Sequence, residues 1–278
     1  MQAAVDLHHI QASMDPIVDQ IARQRSRRRS RFRLTVFGTW IVLIALLVGG
    51  LWLADRIDLA FISEYQAYIL AGVPLTLVIS GASIFFACIL AIFGALGRLS
   101  SNAVVYGLAS FYVSLVRGTP LIVQILFIYL ALPQIWPGFA GIPAIILGIF
   151  ALAFNYGAYM TEIFRAGIQA IPRGQIDAAH ALGMTDRLTM RRVVLPQAIR
   201  IVTPAIGNEF IAMIKDSALV SIITVQELLW RARTIGSGQF RMLETLLLAA
   251  LVYWVLTLAF SLLQDRLEKR MAESDRRI

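Results

Sequence analysis

Apolar positions in this chain gather into long runs joined by short polar stretches. A helix needs about 20 largely apolar residues to cross the hydrocarbon core of a bilayer. Six runs approach or exceed that length: 34–54, 69–96, 109–132, 143–160, 201–225 and 245–263. The pattern predicts an all-α, polytopic membrane protein with about six transmembrane helices. The fifth run is unusual, because Lys215 and Asp216 interrupt it.

Basic residues orient the runs. With the N-terminus in the cytoplasm, 20 of the 25 Lys and Arg residues fall on the inner side. Arg56, Arg231, Arg233 and Arg241 fall outside, and Lys215 lies within a run. Lysine and arginine accumulate in cytoplasmic loops, so both termini are expected inside. Trp52, Trp136 and Trp230 then lie near the outer interface, where indole rings are favoured. Segment 1–33 becomes a basic cytoplasmic leader that meets membrane lipid. Segment 34–54 reads as a retained helix rather than a secretory signal, because its polar leader is long and no small-x-small cleavage site follows.

Composition supports this reading and removes others. The chain has 278 residues, of which 58% are hydrophobic and only 15% charged. A soluble domain runs nearer a quarter charged. The net charge of +8 follows from the cytoplasmic loops and does not require a nucleic-acid partner. Cys88 is the single cysteine, and His8, His9 and His180 are the only histidines. No cluster has metal-ligand spacing. There is no G-x-x-x-x-G-K-[ST] phosphate loop and no G-x-G-x-x-G. The nearest match, "GALGRLS", has the wrong spacing. The expectation is a conduit rather than an enzyme, with no catalytic residues, metal or cofactor of its own. Energy from a nucleotide would have to come from another chain.

One polar stretch stands out. "GQIDAAHALG", at 174–183, lies in the longest joint, 162–200, which the orientation places in the cytoplasm. Pro172 suits a first helical turn, and Gly183 suits a helix end that needs positive φ. Ile171, Gln175, Ala178, Ala179 and Leu182 recur at helical spacing on one face. Thr185 is placed to cap a second helix, "DRLTMRRVVL", which Pro196 interrupts. A small-residue helix across the inner face would let another surface approach closely. A mere connector between two spans would have the same periodicity.

The wider sequence resembles the permease subunits of ABC importers for polar amino acids, which share the MetI-like fold. That family carries E-A-A, three residues and Gly in a cytoplasmic loop, then about nine residues and I-x-L-P. Here the loop reads Asp177-Ala178-Ala179, Gly183 and Leu195-Pro196. "LTLVIS" at 75–80 and "RGTPLIVQ" at 117–124 match as well. Asp177 stands where glutamate is usual, and valine stands where isoleucine is common before Leu195-Pro196. The resemblance covers about 71–266. It implies a permease core at 69–266, with 34–54 as an extra helix and 267–278 as a cytoplasmic tail. It also implies that a coupling helix between spans four and five inserts into an ATPase subunit through Gly174, Gln175, Asp177, Ala178, Ala179, Leu182 and Gly183. The implied partners are ABC ATPase subunits that use ATP and Mg, a second permease subunit and an extracytoplasmic amino-acid-binding protein.

Charges inside spans are costly and tend to face the interior or a partner. Glu209, Lys215 and Asp216 share one run, with Glu209 and Asp216 seven apart and so stacked on one face. They could hold a zwitterionic solute, or Lys215 and Asp216 could form an ion pair. Asn155 and Tyr156 could line a path, or bond one helix to another. Arg117 is expected at the inner interface, packed near the loop. The rival function is an ion-coupled secondary transporter, which explains the carboxylates but leaves the loop helix without a purpose.

Overall fold

The computed structural model describes residues 57–275, together with positions 28, 31–32, 34–46 and 48–50. The chain divides into two units, Met1–Asp58 and Leu59–Ile278. In the first, the apolar helix α1 is Leu34–Gly50. Its described side chains are almost all exposed. Most of the basic leader and residues 51–54 of the first expected span lie outside the described residues.

The second unit is helical throughout its described length, with no strand. Helix α2 (Leu59–Leu70) leads within two residues into α3 (Val73–Arg98). α3 lies along α7 (Ala144–Gln169), and this pair is the spine of the unit. Small residues allow the approach. A Cβ at Gly157 would stand 2.9 Å from the Leu90 Cβ, and one at Gly94 would strike the Thr161 side chain; Gly97 of α3 gives the same closeness to the following helix, where a Cβ would stand 2.8 Å from the Ala109 Cβ. The glycines of "GALGRLS" are therefore packing residues, as expected where helices associate through small side chains. Ile79, Ala87 and Ala91 of α3 and Leu147, Ala151 and Met160 of α7 form the core.

Helix α4 (Ala103–Arg117) starts at Asn102, whose side chain accepts from the N–H groups of Val104 and Val105. It ends at Gly118, Thr119 and Pro120. Proline has no N–H and drives the preceding residue out of the α region, so the helix must break. The chain resumes as α5 (Leu121–Leu126), a π-turn at Phe127–Ala131 and α6 (Leu132–Ile135). The two halves of this bent pair meet at 105°. Backbone groups freed at a break need new partners. Gln124 supplies them, because its Nε2 donates to the carbonyls of Val116 (2.8 Å) and Thr119 (3.1 Å). The expected straight span 109–132 is thus a sharply broken one.

After α7 come α8 (Arg173–Ala181), α9 (Asp186–Thr189), a π-turn at Met190–Val194 and α10 (Leu195–Asp216). Pro196 does not stop the chain, since the π-turn absorbs its missing hydrogen bond and helix continues into α10. The expected fifth span, 201–225, changes type at its charges. α10 ends at Asp216, and a 3-10 helix, Ser217–Ile223, follows. Thr224 then takes φ +65°, a left-handed conformation that is an outlier for a β-branched residue. A helix that the hydropathy pattern missed, α11 (Leu228–Gly238), precedes α12 (Met242–Asp275). α12 runs unbroken through the expected boundary of the tail at 267. Glu227 ties these elements together. It is fully buried and accepts from the hydroxyls of Tyr253 (2.5 Å) and Thr76 (3.4 Å) and from the Trp230 N–H (2.8 Å).

Among the described residues three helices are long and apolar enough to cross a membrane: Leu59–Arg98, Ala144–Gln169 and Met242–Met271. The bent pair makes a fourth if it is counted as one span.

Candidate functional site: a charged cavity and a loop helix

The break after α4 opens a cavity of about 550 Å³ against α7 and α10. Each wall follows from a local rule. Thr119 lines it because Pro120 prevents a regular helix. Asn155 and Tyr156 are neighbours on one turn of α7, and Tyr159 stands on the next. Glu209 and Asp216, two helical turns apart on α10, come onto one side. The Tyr156 hydroxyl donates to Asp216 Oδ2 at 2.7 Å. Asn155 Nδ2 donates to Gln124 Oε1 at 3.1 Å, so the buried amide both lines the cavity and braces the broken helix. Four of the five residues expected on a path are therefore brought together.

Lys215 is the exception. It is exposed and does not line the cavity. No ion pair joins it to Asp216 among the described residues; Tyr156 is the partner that Asp216 takes. Adjacent helical residues diverge by about 100°, and here Asp216 takes the cavity side while Lys215 is turned out to the exposed side. Arg117 departs from expectation in the opposite sense. Instead of packing beside the loop it lines the same cavity, its guanidinium 5.2 Å from the Tyr159 ring centroid. The signal was present, because Gly118 and Pro120 mark a break that ends α4 at Arg117. One guanidinium and two carboxylates thus share one polar space. Neither Arg117 nor Glu209 has an ion-pair partner among the described residues. A larger cavity of about 740 Å³ is walled by Phe127, Trp136, Phe150 and Phe154, and it offers no charge to an ionic solute.

The loop helix α8 forms where expected. Gly183 has φ +78°. The Met184 N–H bonds to the Ala179 carbonyl at 3.1 Å and the Gly183 N–H to His180 at 2.9 Å, which closes the helix end through a Schellman pair. Thr185 caps α9 by accepting from the Leu188 N–H. The expected single face is divided. Ile171 and Ala179 are buried against the protein, whereas Gly174, Gln175, Asp177, Ala178 and Gly183 are exposed and Leu182 is 80% exposed. Gln197, near the start of α10, donates to Gln175 on α8. At the end of α7 that leads into α8, Glu162 receives Arg98 (3.1 Å) and Arg165 (2.7 Å) and holds the ends of α3 and α7 together.

The chain is similar to known proteins in sequence and fold. The family model described as "Binding-protein-dependent transport system inner membrane component" matches residues 83–273. The "Probable amino-acid permease protein YxeN" of Bacillus subtilis (strain 168) is 36% identical over 219 residues, covering 79% of this chain and 98% of that protein. The "Nopaline transport system permease protein NocM" of Agrobacterium fabrum (strain C58 / ATCC 33970) is 38% identical over 213 residues, 73% of this chain and 88% of that one. A solved structure described as an amino acid ABC transporter with histidines superposes with a TM-score of 0.72 at 42% identity. It covers 77% of this chain and 99% of its own. The broken helix, the charged cavity and the glycine-closed loop helix therefore sit on a known framework, and the chain belongs to the binding-protein-dependent transport system inner membrane component family.

Proposed function

We propose that this chain is the permease subunit of an ATP-driven ABC importer for polar amino acids, or derivatives such as opines, in the inner membrane of a prokaryote. The observation that carries the reading is the cavity that gathers Arg117, Glu209 and Asp216. A zwitterion needs a cation for its carboxylate and an anion for its ammonium, and this space holds both. The second carboxylate favours a solute with an additional positive group. Asn155 and Tyr156 orient the walls. Lys215 lies off this cavity and takes no part in it.

The exposed side of α8, with Ala178 and Leu182 at its surface and Gly183 at its end, is the docking face for a separate ATPase subunit that uses ATP and Mg. A second permease completes the path, and an extracytoplasmic binding protein delivers the solute. The test is reconstitution in liposomes with the ATPase that co-purifies with the chain. Uptake of a polar amino acid should require internal ATP and fall at least tenfold in Glu209→Gln and Asp216→Asn, with ATPase recovery unchanged. Uptake on an ion gradient without the ATPase would establish the secondary-transporter reading instead.

A further inference from the structure

A second polar pocket, of about 390 Å³, opens between the 3-10 helix and α11. Ser221 and Ile222 form one wall, and Trp230, Arg233, Thr234 and Ser237 form the other. The four α11 residues recur at three- and four-residue spacing and so share one face. The opposite face, with Leu228 and Ala232, is fully buried. α11 is thus amphipathic, and its polar side closes over a space rather than facing open solvent alone.

Two groups in this pocket lack partners. The other arginines near α11 are engaged: Arg231 bonds the carbonyls of Gln226 and Tyr68, and Arg241 pairs with Glu244. Arg233 has no hydrogen bond or ion pair among the described residues. Ser221 is only 7% exposed and lines the same pocket, and its hydroxyl has no hydrogen bond among them either. A hydroxyl can donate to a carboxylate, and a guanidinium fork matches one. The indole of Trp230 adds an apolar wall beside them. The volume lies within the roughly 300–1,000 Å³ usual for small-molecule sites.

We infer that this pocket binds a carboxylate, held by Arg233 and Ser221, on the approach to the charged cavity. The inference rests on the proposed import path. The 3-10 helix links the two spaces, since Asp216 precedes it and lines the first while Ser221 lies within it and lines the second. Five residues at about 2.0 Å each put those positions about 10 Å apart along the chain. The same carboxylate chemistry could come from a free amino acid or from an acidic side chain of the delivering protein.

The test separates those sources. The full chain, with whatever subunits co-purify, is placed in phosphatidylcholine nanodiscs and labelled with phenylglyoxal. Peptide mass spectrometry reads modification of Arg233, with Arg241 as internal reference. One arm adds L-histidine, L-lysine or L-glutamine, and the matching α-amides serve as controls. The other adds the purified binding protein free of amino acid. Protection of Arg233 by at least threefold with an amino acid, and not with its amide, assigns the site to the solute. Protection only by the binding protein assigns it to a docking carboxylate. Ser221→Ala should weaken protection severalfold in either case. Equal protection by acids and amides, or none in both arms, overturns the inference. The labelling does not require ATP-driven uptake, so a failure of the importer reading would appear separately, as absent ATPase recovery.

Discussion

α7 and α12 are both long enough to cross a membrane, and α12 is the more apolar. Yet 61% of the apolar window of α7 is buried within the protein, against 6% for α12. The buried helix is the one rich in small and polar residues: Gly148, Ala151, Asn155, Gly157 and Thr161 all lie inside it. α12 instead exposes Leu251, Trp254, Leu258 and Leu262. Lipid is as apolar as leucine, so apolar bulk does not drive burial here. Close packing and hydrogen bonding do. Hydropathy therefore locates a span without saying whether it is core or rim.

The largest expected effect comes from filling the close contact on α7. Gly157→Leu should collide with Leu90 and the Tyr112 hydroxyl and cost at least about 3 kcal/mol, seen as lost monodisperse protein in detergent. Leu262→Ala on α12 should cost less than about 0.5 kcal/mol. Equal losses for the two would break the contrast between core and rim.

Next in size is the tie that holds α12 to the core. Glu227→Ala strands the Tyr253 hydroxyl and the Trp230 N–H, and should cost about 2 kcal/mol by thermal denaturation. Tyr253→Phe should cost less alone and little more in the double variant, because both remove one contact.

On the loop helix the two faces should separate stability from docking. Ala179→Glu buries a charge against the permease itself and should lower folded yield. Leu182→Glu should leave stability within about 0.5 kcal/mol of the parent while abolishing ATPase recovery in a pull-down. Full recovery with Leu182→Glu would leave α8 as a connector only.

The smallest effect is expected at Thr224. Asparagine tolerates left-handed backbone better than threonine, so Thr224→Asn should raise the melting midpoint by the equivalent of about 0.5–1 kcal/mol.

The two regions were also unequally legible in the sequence. The α8 loop could be read from Pro172, Gly183 and Thr185, whose roles depend on local backbone chemistry alone. α7 was visible as an apolar run, although its last turns were not, because Glu162 and Arg165 end the run while continuing the helix. The 105° break was written in Gly118 and Pro120, but the run of apolar residues on both sides concealed it. α11 was hidden because Arg231, Arg233, Thr234 and Ser237 lower its hydropathy. Asn155, Tyr156, Glu209 and Asp216 could be singled out by polarity within spans. Their meeting with Arg117 could not, since it depends on the angle of the broken helix.

α10 has a mechanical consequence. It is 22 residues long, or about 33 Å, with Gln197 at one end and Asp216 at the other. Gln264 of α12 donates to the Pro204 carbonyl near the middle of the helix, and a Cβ at Gly207 would strike the Gln264 side chain. The helix thus has two arms of similar length, one toward α8 and one toward the cavity, with a contact point between them. A rotation of about 10° about that point would move each end by about 2–3 Å in opposite directions, taking the rise per residue as the measure of length. Displacement at the loop would be returned where the carboxylates stand with its sign reversed, as on a see-saw.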